Sequence, residues 1–142
     1  MIGRLTGLLA EKNPPQIVLD VNGVGYVVQC SARTLQKLPQ AGEAAALAIE
    51  TQVREDAIQL FGFPEREDQE VFELLLGVTG VGPKVALSIM SVIATDTLTT
   101  ALAEGDAATI QRVPGVGPKL AQRIVLELKD KAAERAWTAR LA

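Results

Sequence analysis

The sequence predicts an α+β chain of two domains, a small barrel of five short strands followed by an all-α half. Two observations carry this. Apolar residues alternate in short runs up to Phe63 and then recur at helical spacing after Pro64. The pentapeptide GVGPK occurs twice in the helical half, at Gly80–Lys84 and Gly115–Lys119. The expected domains are therefore residues 1–63 and 64–142.

In the first half, strands are expected near 2–10, 15–22, 25–30, 46–53 and 57–62. In IVLDVNGVGYVVQC, Ile17, Leu19 and Val21 share one face, and Gly23 and Gly25 break the run. SARTLQKL reads as a short helical turn with Ser31 as its N-cap. Five short strands are too few for a sandwich, so a closed Greek-key barrel of OB type is the economical solution. Helices are expected over 66–77, 83–93, 96–103, 106–112 and 118–136. The first sets Val71, Leu74, Leu75 and Val78 on one stripe behind an acidic first turn that suits the helix dipole. Asp96 and Asp106 are the expected caps of the short helices between the two pentapeptides.

Composition narrows the function before any motif does. With Lys and Arg totalling 14 against 17 Asp and Glu, net charge −3 and pI ≈ 5.0, no global positive field advertises a polyanion, so any such partner must be held locally. Histidine is absent and Cys30 is the single cysteine, which leaves little material for metal or nucleophile chemistry and excludes an intramolecular disulfide. Cys30 is expected as a small buried side chain in a strand. MIGRLTGLLAEK has charges too early for a signal-peptide core, and no apolar run reaches the roughly 20 residues of a membrane span. A cytoplasmic protein is expected.

The two pentapeptides lie 35 residues apart, and the likeness extends around them: Leu75 matches Ile110, Val78 matches Val113, Ala86 matches Ala121 and Ile89 matches Ile124. Two copies make a pair of helix–turn–helix units rather than a solenoid, which needs three or more. A phosphate-binding loop of the G-x-x-x-x-G-K-[ST] type fails, because Pro83 stands where lysine is required. A dinucleotide fingerprint fails for want of a third glycine and a preceding strand. What remains is a tight turn whose proline opens the next helix, leaving backbone amides and a positive helix end, with Lys84 or Lys119 adjacent, to meet an anion such as phosphate. The bland alternative is that each GVG is only a helix–helix turn.

LLGVTGVGPKVA and IQRVPGVGPKLA resemble the helix-hairpin-helix motif of sequence-independent DNA binders. That resemblance implies phosphate contacts at Gly80, Val81, Gly82 and Lys84 in the first hairpin, and at Gly115, Val116, Gly117, Lys119 and Arg123 in the second. The motif also serves glycosylases, ligases, nucleases and polymerases. A glycosylase of this kind would carry a catalytic aspartate in an apolar, histidine-containing segment, whereas Asp130 lies in the charged KLAQRIVLELKDKAAER.

Over nearly its whole length, through MIGRLTG, VNGVGYVV, REDAIQLFGF, GVGPKVAL and PGVGPKLAQRIVLELKD, the chain resembles the bacterial Holliday junction branch-migration family, RuvA. The resemblance implies a non-catalytic, four-fold homotetramer, or two tetramers enclosing an open junction. It also implies a motor ATPase partner, RuvB, which uses the ATP and Mg and reaches the family through a third, C-terminal domain that this sequence lacks. The resolvase RuvC is a further implied partner. No cofactor of its own and a cytoplasmic, nucleoid-associated location are expected.

QVREDAI places Glu55 and Asp56 at a hairpin tip, where acidic residues are ordinary turn formers. In the resembled family this is the acidic pin, whose carboxylates would repel phosphates at the crossover. Arg54 beside them either contacts a phosphate, the reading adopted, or tempers the acidic pair. One departure concerns Pro118, where family members can carry a further basic residue, so the second grip would lean on its amides, Lys119 and Arg123. Trp137 receives no function. Two rival classes stay open: a small helix-hairpin-helix nuclease or glycosylase, and an interaction module whose hairpins merely pack.

Overall fold

The computed structural model describes residues 1–141, with side chains through Arg135, so Trp137 lies outside the described side chains. The chain divides into two compact units, Met1–Glu70 and Val71–Ala142.

The first unit is a five-stranded closed barrel, β1 (Arg4–Asn13), β2 (Gln16–Val21), β3 (Val24–Cys30), β4 (Ala44–Val53) and β5 (Ile58–Phe63), joined in the order β1-β2-β3-β5-β4. All pairings are antiparallel except β3 with β5, which is parallel. Closure leaves no free sheet edge, and period-2 alternation turns Leu5, Leu9, Ile17, Leu19, Val28, Cys30, Leu47 and Ile49 inward as the core. Gly25, expected both as a breaker and as the first residue of the strand over 25–30, is the second residue of β3. The β2–β3 turn needs only Asn22 and Gly23, whose φ values of 52° and 89° give the twist that a two-residue hairpin requires, and Gly23 N–H donates to Asp20 Oδ1 at 2.8 Å.

Helix α1 (Ala32–Lys37) follows β3. Its N-cap is Ser31, as expected: Ser31 Oγ accepts from Thr34 N–H at 3.1 Å. Cys30 is buried, and desolvation pushes its thiol up to about 12, so it holds no thiolate near neutrality.

The remaining helices are α2 (Arg66–Leu76), α3 (Pro83–Val92), α4 (Thr95–Glu104), α5 (Ala107–Gln111) and α6 (Pro118–Leu141). On α2 the buried stripe is Val71, Phe72 and Leu75, whereas Leu74 is only half-buried; spacing alone does not distinguish Phe72 from Leu74. Within the first unit, Gln69 Nε2 and Gln52 Nε2 both donate to the Glu50 carboxylate, at 2.9 and 2.8 Å, holding the start of α2 to β4. All eight residues matched across the repeat, Leu75 with Ile110 through Ile89 with Ile124, are at most 2% exposed. Each Leu or Ile among them contributes about 1.5–3 kcal/mol by burial. Among the described residues, no single helix is long and apolar enough to cross a membrane.

Asp96 does not cap α4. The cap is Ala94, whose carbonyl accepts from Leu98 N–H at 2.8 Å, and Asp96 sits one residue inside the first turn, where the dipole still favours it. Asp106 does cap α5: its carboxylate accepts from Thr109 Oγ1 at 2.6 Å and Thr109 N–H at 3.2 Å. The Thr109 hydroxyl first, then the Thr109 amide, with Arg112 adding a smaller pull, hold the Asp106 carboxyl below its ordinary value. A carboxylate depressed in the folded state stabilises above its unfolded pKa, and that contribution disappears as pH falls through the lower folded value. Asp106→Ala should therefore lower the thermal midpoint at neutral pH, and the gap from wild type should close as the pH is taken down through the carboxylate range in a calorimetric pH series.

Candidate nucleic-acid interface

The two hairpins share four backbone hydrogen bonds 35 residues apart, and Gly77 N–H donates in addition to Glu73 O at 3.3 Å. Gly77 N–H donates to Leu74 O as Arg112 N–H does to Thr109 O, at 3.2 and 3.3 Å. Val78 to Leu75 is matched by Val113 to Ile110, at 3.1 and 3.2 Å. Val81 to Val78 and Val116 to Val113 are both 3.0 Å, as are Ala86 to Gly82 and Ala121 to Gly117. The turn glycines share the left-handed region, Gly80 at φ 94° and Gly115 at φ 90°, where a side chain would be strained.

This pattern sorts the expected contacts. Val81 and Val116 are buried, and their N–H groups close the turns, so they hold the loops and are withdrawn from the set of amides open to a phosphate. Gly82 is the N-cap of α3 and Pro83 its first residue, and Ala86 makes the first helical bond. Among the described residues, that leaves the amides of Thr79, Gly80, Gly82, Lys84 and Val85 without a backbone acceptor; the residue matching Thr79 in the second hairpin is Pro114, which has no N–H. By the same register the second hairpin leaves those of Gly115, Gly117, Lys119 and Leu120. Val85 and Leu120 were not among the expected contacts. Their signal was the proline itself, which marks where a helix begins and therefore which amides lack partners.

Lys84 and Lys119 are both exposed beside these amides, each at the second position of its helix. Arg123 is also exposed, but its Nη1 donates to Thr79 O at 3.1 Å, so the α6 side chain reaches the turn of the first hairpin.

The barrel tip belongs to the other unit. Residues 54–57 connect β4 to β5 beyond the closing pair Val53 and Ile58, and Arg54 N–H donates to Ala57 O at 2.8 Å. Arg54, Glu55 and Asp56 are all exposed, and among the described residues Arg54 forms no ion pair with either carboxylate. Among the described residues, the tip thus presents two exposed acids without an ion-pair partner.

Comparison with known proteins matches both halves. Residues 1–62 fit the family described as RuvA N terminal domain, and residues 72–130 the SAM-like helix-hairpin-helix tandem. The Holliday junction branch migration complex subunit RuvA of Methylorubrum populi is 57% identical over 132 residues, covering 93% of this chain and 64% of that protein. Residues 1–62 carry the N-terminal domain of the RuvA family, and the chain is similar to RuvA over 93% of its length.

Other RuvA proteins stand equally near. That of Methylobacterium nodulans is 58% identical over 132 residues, and that of Xanthobacter autotrophicus 53% over 131, each with 64% of its own length covered. The chain therefore spans 64% of the length of these RuvA relatives. The RuvA N terminal domain match coincides with the barrel that carries the acidic tip, and the helix-hairpin-helix tandem match with the helices that carry both hairpins.

Proposed function

We propose that this chain binds four-way (Holliday) DNA junctions by their structure rather than their sequence, and holds them open for branch migration by a partner ATPase motor in recombination and repair. The observation that carries this is the four backbone hydrogen bonds shared by the two hairpins, each of which offers a cluster of open amides and a lysine to a phosphate. Amide grips on the backbone carry no base information, and they explain how an acidic chain holds a polyanion.

The acidic tip supplies the opposing force. In a four-fold assembly, two carboxylates from each subunit would repel phosphates at the crossover while the hairpins hold the arms. Arg54 beside them contacts a phosphate. The assembly is a homotetramer, or two enclosing the junction, in the cytoplasm at the nucleoid. Its partners are the motor RuvB, which uses ATP and Mg, and the resolvase RuvC. The chain itself is a non-catalytic subunit without a cofactor of its own.

A gel-shift comparing a four-way junction with a linear duplex of equal length tests the reading. The junction should be preferred by about tenfold or more, corresponding to about 1.4 kcal/mol. The preference should survive scrambling of the arm sequences, and affinity should fall steeply with salt. Equal affinity for the two DNAs would sink it.

A further inference from the structure

We propose that Arg123 is a positioning residue that ties the turn of the first hairpin to the helix of the second, and not a phosphate contact. The inference rests on the DNA-binding reading given above for what the turn grips. Its basis is the bond from Arg123 Nη1 to Thr79 O at 3.1 Å, which joins residues 44 apart in sequence. Helix α6 also lies close to this turn: a Cβ placed on Gly80 would stand 3.2 Å from Arg123 Nη1 and 3.5 Å from Leu120 Cδ1.

The peptide bond turns this contact into a positioning device. A trans peptide is planar, with C=O and N–H on opposite sides, so fixing the Thr79 carbonyl toward α6 fixes the Gly80 N–H away from it. The turn takes a left-handed φ at Gly80, where glycine is conformationally free, and a turn that must be ordered by its ligand loses affinity. Arg123 orders it beforehand.

The tie runs in one direction only. Shifting Arg123 by the 35-residue repeat gives Ser88, whose Oγ donates within its own helix to Lys84 O at 3.0 Å. A Cβ placed on Gly115 would meet nothing within 4 Å. Among the described residues, the second turn is therefore left without the brace that the first receives, although their backbones share the same turn.

The test measures junction binding by Arg123→Ala, Lys84→Ala, Lys119→Ala and the two doubles containing Arg123→Ala, over about 50 to 200 mM salt. Thermal unfolding confirms that each variant is folded. Arg123→Ala should weaken binding about three- to tenfold, the range of one lost hydrogen bond, with the slope of log affinity against log salt unchanged. Its effect should be less than multiplicative with Lys84→Ala, since both act on the first grip, and multiplicative with Lys119→Ala. In the DNA-free protein, the Gly80 amide order parameter should fall below about 0.6 in Arg123→Ala while that of Gly115 is unchanged. A slope shallower by about 0.9 for each Arg123 lost would make it a phosphate contact and overturn the proposal. Unchanged affinity, coupling to Lys119 in place of Lys84, or a rigid Gly80 would also overturn it. If the unaltered chain binds no junction, the DNA reading falls by itself, and the Gly80 order parameter alone decides whether Arg123 braces the turn.

Discussion

Replacing Lys84 and Lys119 together by glutamate is expected to abolish junction binding at physiological salt, a loss of roughly a hundredfold or more. Both side chains are exposed at the second position of a helix, beside the amides that the repeated turns leave open. Each lysine that meets a phosphate adds about 0.9 to the salt slope, and reversing its sign places a carboxylate against the same phosphate. The variant should still fold, because a negative charge in the first turn complements the helix dipole. The unfolding midpoint is expected to stay level or rise while binding disappears, which separates loss of grip from loss of structure. Unchanged affinity in a folded double variant would remove the hairpins from the interface.

The second large effect is expected at the barrel tip and has the opposite sign. Glu55→Ala with Asp56→Ala should leave junction binding intact or stronger, and should reduce the preference for junction over plain duplex by roughly three- to tenfold. That range corresponds to about 1 kcal/mol for close like charges in water. The tip is closed by backbone, through Arg54 N–H to Ala57 O, and Glu55 and Asp56 are exposed outside the barrel core, so the fold loses nothing. A double variant that bound neither DNA would show that these acids hold rather than repel. The informative measurement is the ratio of the two affinities in one buffer, since net charge alone shifts both together.

The elements legible in the sequence were those specified within one turn or one strand pair. The alternation through Ile17 and Leu19 wrote a barrel wall, and Ser31 announced its own helix because a cap acts only three residues away. The GVGPK turns were legible for the same reason: glycine, glycine and proline each impose a local backbone state, and the 35-residue likeness revealed the shared core. Where the sequence misled, the deciding contact lay elsewhere. Gly25 stayed in β3 because Asn22 accepts a left-handed φ, so the turn ends one residue early. Phe72 displaced Leu74 in the core because spacing defines a stripe only to within a neighbour, and packing chooses between them.

The composition and motifs of this chain by themselves determined a barrel with acids at one tip, followed by helices that carry two hairpins of one design. All of these follow from periodicity and from residues that constrain their own φ and ψ. Only the tertiary structure decided which residues of GVGPK face outward, since Val81 and Val116 are drawn into the core and their amides are consumed closing the turns. It alone joined Arg123 to Thr79, because a bond across 44 residues depends on how α6 packs against the first turn, and no local pattern encodes that approach.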